Sequence, residues 1–232
     1  MGLIEGLDAI TSRIANDEAR YSNSDYVKAE WFKLADKQAA TVQFLQEFDK
    51  NNEAYSEKNG LAVMAIEHNH PTLWRNKALC TFDDEGRCYG CEQHQKNPKA
   101  GWKQKTKVYI NALVDYGDGD PVVQVLSSGL GKGQVAPVLL EILKPEEGED
   151  PISLTKTKFK VTRSGKGLSD TAYLVTQKGV TKNDTEVYEL FDLHKVLRQI
   201  PYGEQEAAYN RGAVETEERE LVSASSAPEE EW

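Results

Sequence analysis

Residues 103–129, KQKTKVYINALVDYGDGDPVVQVLSSG, read as one long hairpin. Strands are expected at Thr106–Asp115 and Val122–Ser127, because β-branched and aromatic residues fill both arms. The connection YGDGDP gathers the Gly, Asp and Pro that turns require. A second hairpin follows in SLTKTKFKVTRSGKGLSDTAYLVTQ, residues 153–177, with SGKGLSD at its tip. It alternates: Lys156, Lys158 and Lys160 fall on one face, Phe159 and Val161 on the other. Upstream, Glu30–Leu34, Ala40–Glu47 and Leu61–Glu67 also read as strands. Helices are expected at the ends and connections: an amphipathic one over 1–20 (Leu3, Leu7, Ile10 and Ile14 in a stripe), one over 134–143 and one over 187–200 ended by Pro201. About six strands in hairpins predict a mainly β fold, a small closed barrel of the OB type.

All three cysteines lie within LCTFDDEGRCYGCEQH, residues 79–94. An odd count and an amphipathic, acidic N-terminus without a signal-peptide pattern argue against a disulfide framework. Cys88-Tyr-Gly-Cys91 is a C-x2-C knuckle, and zinc takes four sulfur or imidazole ligands tetrahedrally. Cys80, Cys88 and Cys91 therefore need one histidine. His68 gives H-x11-C-x7-C-x2-C; His70 and His94 follow in order of preference. Such a site has four protein ligands and no open position, so the expected zinc is structural. The segment, about 66–100, reads as an insertion between barrel strands, stapled by metal.

Net charge is −10, unevenly spread. Residues 204–232 hold nine acids against two bases, which leaves −3 for the first 203 residues. Residues 75–107 carry eight bases against four acids, and residues 156–178 six bases against Asp170 alone. Two basic stretches in an acidic chain point to a polyanion. Candidate phosphate contacts are Arg75, Lys77, Lys99, Lys103, Lys105 and Lys107 in the first, and Lys156, Lys158, Lys160, Arg163 and Lys166 in the second. Aromatic faces accept bases of any identity. Trp102, between Gly101 and Lys103, and Tyr173 are candidates. Trp74 and Tyr109 are divided between stacking and core, Phe159 is expected in the core, and Tyr89 beside the metal. The end, SASSAPEEEW, is low-complexity and expected to be disordered.

No nucleophile–base pair or carboxylate dyad stands out, so no enzyme is expected. SSGLGKGQ lacks the phosphate-loop spacing. No apolar run approaches the 18 or so residues of a membrane span. The sequence leaves the oligomeric state open, a monomer included.

WFKLADKQAATVQFL (31–45), a histidine, C…C-x-x-C and KTKVYINALV (105–114) together resemble the single-stranded DNA-binding proteins of tailed bacteriophages, the T-even helix-destabilising family. The segment ALCT…GRCYGCEQH is similar to shorter relatives from phages of other hosts. The resemblance spans about residues 30–178 and is specific only at the cysteines. It implies an OB-fold, a zinc subdomain, a basic cleft and an acidic tail. It further implies His68, Cys80, Cys88 and Cys91 as zinc ligands and Lys105, Lys107 and Tyr109 near DNA. The function implied is sequence-nonspecific coating of single strands during phage DNA replication and recombination, in the cytoplasm of an infected bacterium. Glu229, Glu230, Glu231 and Trp232 of the tail would meet replication and recombination proteins. Two departures stand out: residues 1–20 are acidic where the best-known member has a basic arm, and the ligand spacings are shorter. The expected organisation is therefore 1–29 helical, 30–203 barrel with zinc insertion, and 204–232 tail. The competing reading is a zinc-ribbon protein-interaction module that binds no nucleic acid.

Overall fold

The computed structural model describes residues 28–73, 76–144, 152–167, 170–197 and 199–211. The expected helix over 1–20, Trp74, Arg75, and the tail residues Glu229, Glu230, Glu231 and Trp232 lie outside them. Seven strands form one sheet: β1 (Ala39–Phe44), β2 (Val63–Asn69), β3 (Lys77–Leu79), β4 (Lys105–Asp115), β5 (Val122–Gly129), β6 (Thr157–Ser164) and β7 (Ala172–Val180). Hydrogen bonding orders them β3-β2-β4-β1-β6-β7, with β5 also on β4. The pairs β1–β4, β1–β6, β2–β3 and β6–β7 are antiparallel. The mainly β expectation is met. The expected closed barrel is not what forms: among the described residues the sheet is open, ending at β3 and β7.

The helices are short: α1 (Phe82–Glu85), α2 (Tyr89–Lys96), α3 (Val135–Ile142), α4 (Leu193–Val196) and α5 (Tyr202–Tyr209), with 3-10 turns at Pro98–Ala100 and Thr185–Val187. No helix among the described residues is long and apolar enough to cross a membrane. The described residues divide into two compact units. The first takes 28–63, 109–127 and 138–197; the second takes 64–108, 128–137 and 199–211.

In the first unit, β4 does not alternate: every residue from Tyr109 to Val114 is buried. A strand paired along both edges and covered on both faces has no solvent side to make polar. Its one buried amide, Asn111, is fully used. Gln46 Oε1 accepts the Asn111 N–H at 2.9 Å, and the Asn111 side chain donates to the Phe191 carbonyl at 3.0 Å and accepts its N–H at 3.1 Å. That clamp explains why the helix expected over 187–200 is mostly absent. Phe191 is spoken for by β4, and Asp192, accepting the His194 N–H at 3.0 Å, caps only the single turn α4. The strand expected at Glu30–Leu34 reduces to one bridge, Trp31 to Val125.

Strand β6 alternates as its sequence asks, with Thr157, Phe159 and Val161 buried and Lys160 exposed. Phe159 packs on Phe44 with ring centroids 5.6 Å apart. The approach to β6 is held by Glu47, buried to 2 % exposure. Its carboxylate accepts from Ser153 Oγ (2.7 Å), the Leu154 N–H (3.2 Å) and the Thr155 N–H (2.8 Å) and hydroxyl (2.7 Å). A buried carboxylate so satisfied ties the end of β1 to the start of β6 without leaving its oxygens short of donors.

In the second unit, residues 202–209 form α5, where the sequence places the opening of a disordered tail. Gln205 and Tyr209 are both fully buried there.

Candidate metal centre and basic faces

The metal-centre geometry begins with β2, which carries His68, and β3, which pairs with it: His68 lies opposite Ala78, and Cys80 follows two residues later. Thr81, fully buried, donates its hydroxyl to the Arg87 carbonyl at 2.6 Å and closes the loop between Cys80 and Cys88. Cys88 then caps α2 in extended conformation, and Cys91 sits one turn into the helix. The ligand atoms of His68, Cys80, Cys88 and Cys91 all lie within 4.8 Å of one another. These four residues could hold a metal ion. Cys80 and Cys91 Sγ are 3.6 Å apart, and His68 Nε2 is 3.3 Å from Cys91 Sγ. A tetrahedron with metal–sulfur bonds of about 2.3 Å has sulfur–sulfur edges of about 3.8 Å, so the set fits one ion.

The surroundings fix the ligand orientation. His68 Nδ1–H donates to the Trp102 carbonyl at 2.6 Å, which leaves Nε2 with its lone pair toward the thiols. Gln104 Nε2 donates to Cys91 Sγ at 3.3 Å and to Cys80 Sγ at 3.6 Å. Gly90 packs directly against the His68 ring. It sits in the helix, and a Cβ there would lie 2.4 Å from His68 Cγ, so glycine is needed to admit the imidazole against α2. Electrostatics agree. Burial pushes the Cys88 thiol up, but the His68 ring and the amides of Cys91 and Thr81 outweigh it and bring it to about 6. Burial, the hydrogen-bonded Cys80 thiol and the Cys88 charge push Cys91 up to about 12. Burial lowers His68, and its contacts with Cys88 and the Trp102 carbonyl raise it by more. Several thiolates this close repel one another; a divalent cation among them removes the conflict.

Of the other histidines, His70 Nδ1 accepts the Leu73 N–H at 2.9 Å and shapes the turn after Pro71. His94 is not in the cluster, and His194 is exposed on α4.

The basic candidates separate into two kinds. Lys77 (3.2 Å) and Lys107 both pair with Glu67, a carboxylate only 1 % exposed, so their charges are spent inside the unit. Arg163 donates to the Leu34 carbonyl at 2.7 Å and Thr171 Oγ1 at 3.1 Å, bracing the β6–β7 hairpin. Lys99, Lys103, Lys105, Lys156, Lys160 and Lys166 are exposed and Lys158 half-buried, with no ion-pair partner among the described residues. On the outer face of β6, Lys160 lies opposite Thr41 of β1 and Thr176 of β7; Lys178 Nζ reaches Thr41 Oγ1 at 3.4 Å. Leu174, 63 % exposed, extends that face.

The aromatic candidates fare differently. Trp102, expected at the surface, is 8 % exposed, and Tyr109 is fully buried, so neither ring is open to a base. Tyr173 is half-buried opposite Arg163. Trp102 is instead the floor of the metal lobe: Tyr209 meets it edge-on at 4.9 Å and Tyr89 at 5.8 Å. Sequence reading missed Gln104, Glu67, Gln205 and Tyr209. The signal for the last two was present in their i, i+4 spacing, masked by the surrounding glutamates.

Comparison with protein-family models, with curated proteins and with solved structures finds no match to this chain.

Proposed function

We propose that the protein binds single-stranded DNA without sequence preference and that the Cys3His cluster holds a structural zinc ion. The observation that carries the DNA reading is the group of lysines along β6 and β7, with Lys156 in the turn before β6, Lys158 and Lys160 in β6 and Lys178 in β7, none ion-paired among the described residues. Lysines that a fold leaves without ion-pair partners suit the phosphates of an extended backbone. Three thiolates and an imidazole favour zinc over hard cations, and four protein ligands leave no position for catalysis. The acidic C-terminal run, ending in Glu229, Glu230, Glu231 and Trp232, competes with DNA for the lysines and, once displaced, recruits replication and recombination proteins. The phage setting rests on the sequence resemblance alone.

Burial of Trp102 and Tyr109 favours the rival reading of a protein-interaction module, because it removes two stacking platforms. One measurement separates them. Binding to dT oligomers, titrated against salt, should weaken with a log–log slope of about −3 if four or five lysines meet phosphates, at roughly −0.7 each. No binding at low salt would end the DNA reading.

A further inference from the structure

Helix α5 touches the flanks of every ligand-bearing segment of the metal cluster. Gln205 Oε1 accepts the Tyr89 N–H at 2.9 Å, directly after Cys88. Its Nε2 donates to the Leu79 carbonyl at 3.3 Å and to Thr81 Oγ1 at 3.1 Å, on either side of Cys80. The Tyr209 hydroxyl donates to the carbonyls of His68 and Ala78, each at 3.5 Å. The Tyr209 ring packs against Trp102, whose carbonyl holds His68 Nδ1. Positions 205 and 209 share one face of the helix, while Glu204 and Glu206 are exposed.

We propose that Gln205 and Tyr209 are positioning residues of the metal site, so that metal binding and the seating of α5 are one equilibrium. The inference rests on the metal reading above. Gln205 spans three backbone or hydroxyl groups whose mutual spacing is set by where Cys80 and Cys88 stand. A bound ion fixes that spacing; without it the segments carrying those thiols are free to separate, and one amide can no longer reach all three. The reverse holds by reciprocity: whatever α5 adds to metal affinity, the metal adds to the hold on α5. The chain beyond 211 carries seven glutamates and one arginine. The metal ion thus tethers the root of the acidic segment to the lobe, and its removal releases it.

The full-length protein tests this. Zinc content is measured first, then affinity by competition with a chromophoric chelator, and α5 accessibility by glutamyl endopeptidase cleavage at Glu204 and Glu206. Gln205→Leu and Tyr209→Phe should each lower zinc affinity about 10- to 100-fold, the range for residues that orient metal ligands. Glu204→Ala, on the exposed face, should not. Stripping zinc should speed cleavage at Glu204 and Glu206 at least tenfold. If Gln205→Leu fails to fold, Tyr209→Phe, which removes one oxygen, still decides. Variants that bind zinc as tightly as the parent, or an α5 equally protected without zinc, overturn the coupling alone. A parent that holds no zinc overturns the metal reading and the coupling with it.

Discussion

The two units hold themselves together by different means. The first buries a run of large apolar side chains, among them Val42, Phe44, Leu45, Ile110, Val114, Phe159 and Val161. The second has a core cluster of Ala78, Trp102 and Tyr209, with Tyr89, Ala100 and Ile200 against it, beside four residues able to ligate a metal. Burial of apolar area scales with the number of such side chains, at about 25 cal/mol per Å2. A small cluster gains little from it, so a metal site carries proportionally more of the second unit's stability. The difference predicts that each unit breaks under a different insult.

The largest effect should come from the metal. Cys88→Ser, or chelation of the parent, should remove the ion and raise amide exchange across the described parts of 64–108 and 199–211, since structural zinc contributes about 10 kcal/mol or more to folding in small domains. Protection around Phe44 and Phe159 should persist. Unchanged exchange in the second unit after demonstrated metal loss would show that its aromatic cluster suffices alone. The mirror experiment is Phe159→Ala, which leaves a cavity against Phe44 and should cost about 3–5 kcal/mol in denaturant unfolding of the first unit. Metal per chain should stay constant in the folded fraction. Metal loss in that variant would mean that the two means of stabilisation are not separate.

The same contrast decides what could be read from the sequence. Alternation in TKTKFKV places Phe159 inside and Lys160 outside, because a strand with one covered face writes its environment into every second residue. The spacing of Cys80, Cys88 and Cys91 is equally open to reading, because metal ligation permits few arrangements. That the sheet stays open was not legible: which strands pair depends on contacts between distant segments, and no residue pattern in β3 or β7 states that it is an edge among the described residues. Nor was the helix at 202–209. Its buried Gln205 and Tyr209 stand among exposed glutamates, and composition, dominated by the latter, reads as solvated chain.

A smaller effect sharpens the picture within the second unit. Glu67 is buried between Lys77 and Lys107 on the residue before His68. Glu67→Gln keeps the shape and removes the charge. It should cost about 1.5–3 kcal/mol, the worth of a charge-assisted hydrogen bond lost inside the protein. The destabilisation should be seen in thermal unfolding of zinc-loaded protein. A neutral result would mean that the two ammonium groups find water as easily as they find the carboxylate.

The smallest effect on stability, and the one most specific to function, comes from comparing two lysines that sequence treats alike. Lys107 and Lys160 both lie in basic stretches and both stand as phosphate contacts on charge alone. The fold separates them. Lys107 faces the buried Glu67, so Lys107→Ala should destabilise the protein and leave the salt slope of single-strand binding unchanged. Lys160 is exposed on the outer face of β6, so Lys160→Ala should change stability by less than about 0.5 kcal/mol. It should make the salt slope shallower by about 0.7, the share of one phosphate contact on a single strand. Thermal unfolding and salt-titrated binding of the same two variants yield four numbers with a crossed pattern. If Lys107→Ala alters the slope and Lys160→Ala does not, DNA is bound on the side of Lys107, and the outer face of β6 and β7 is only a solvated surface.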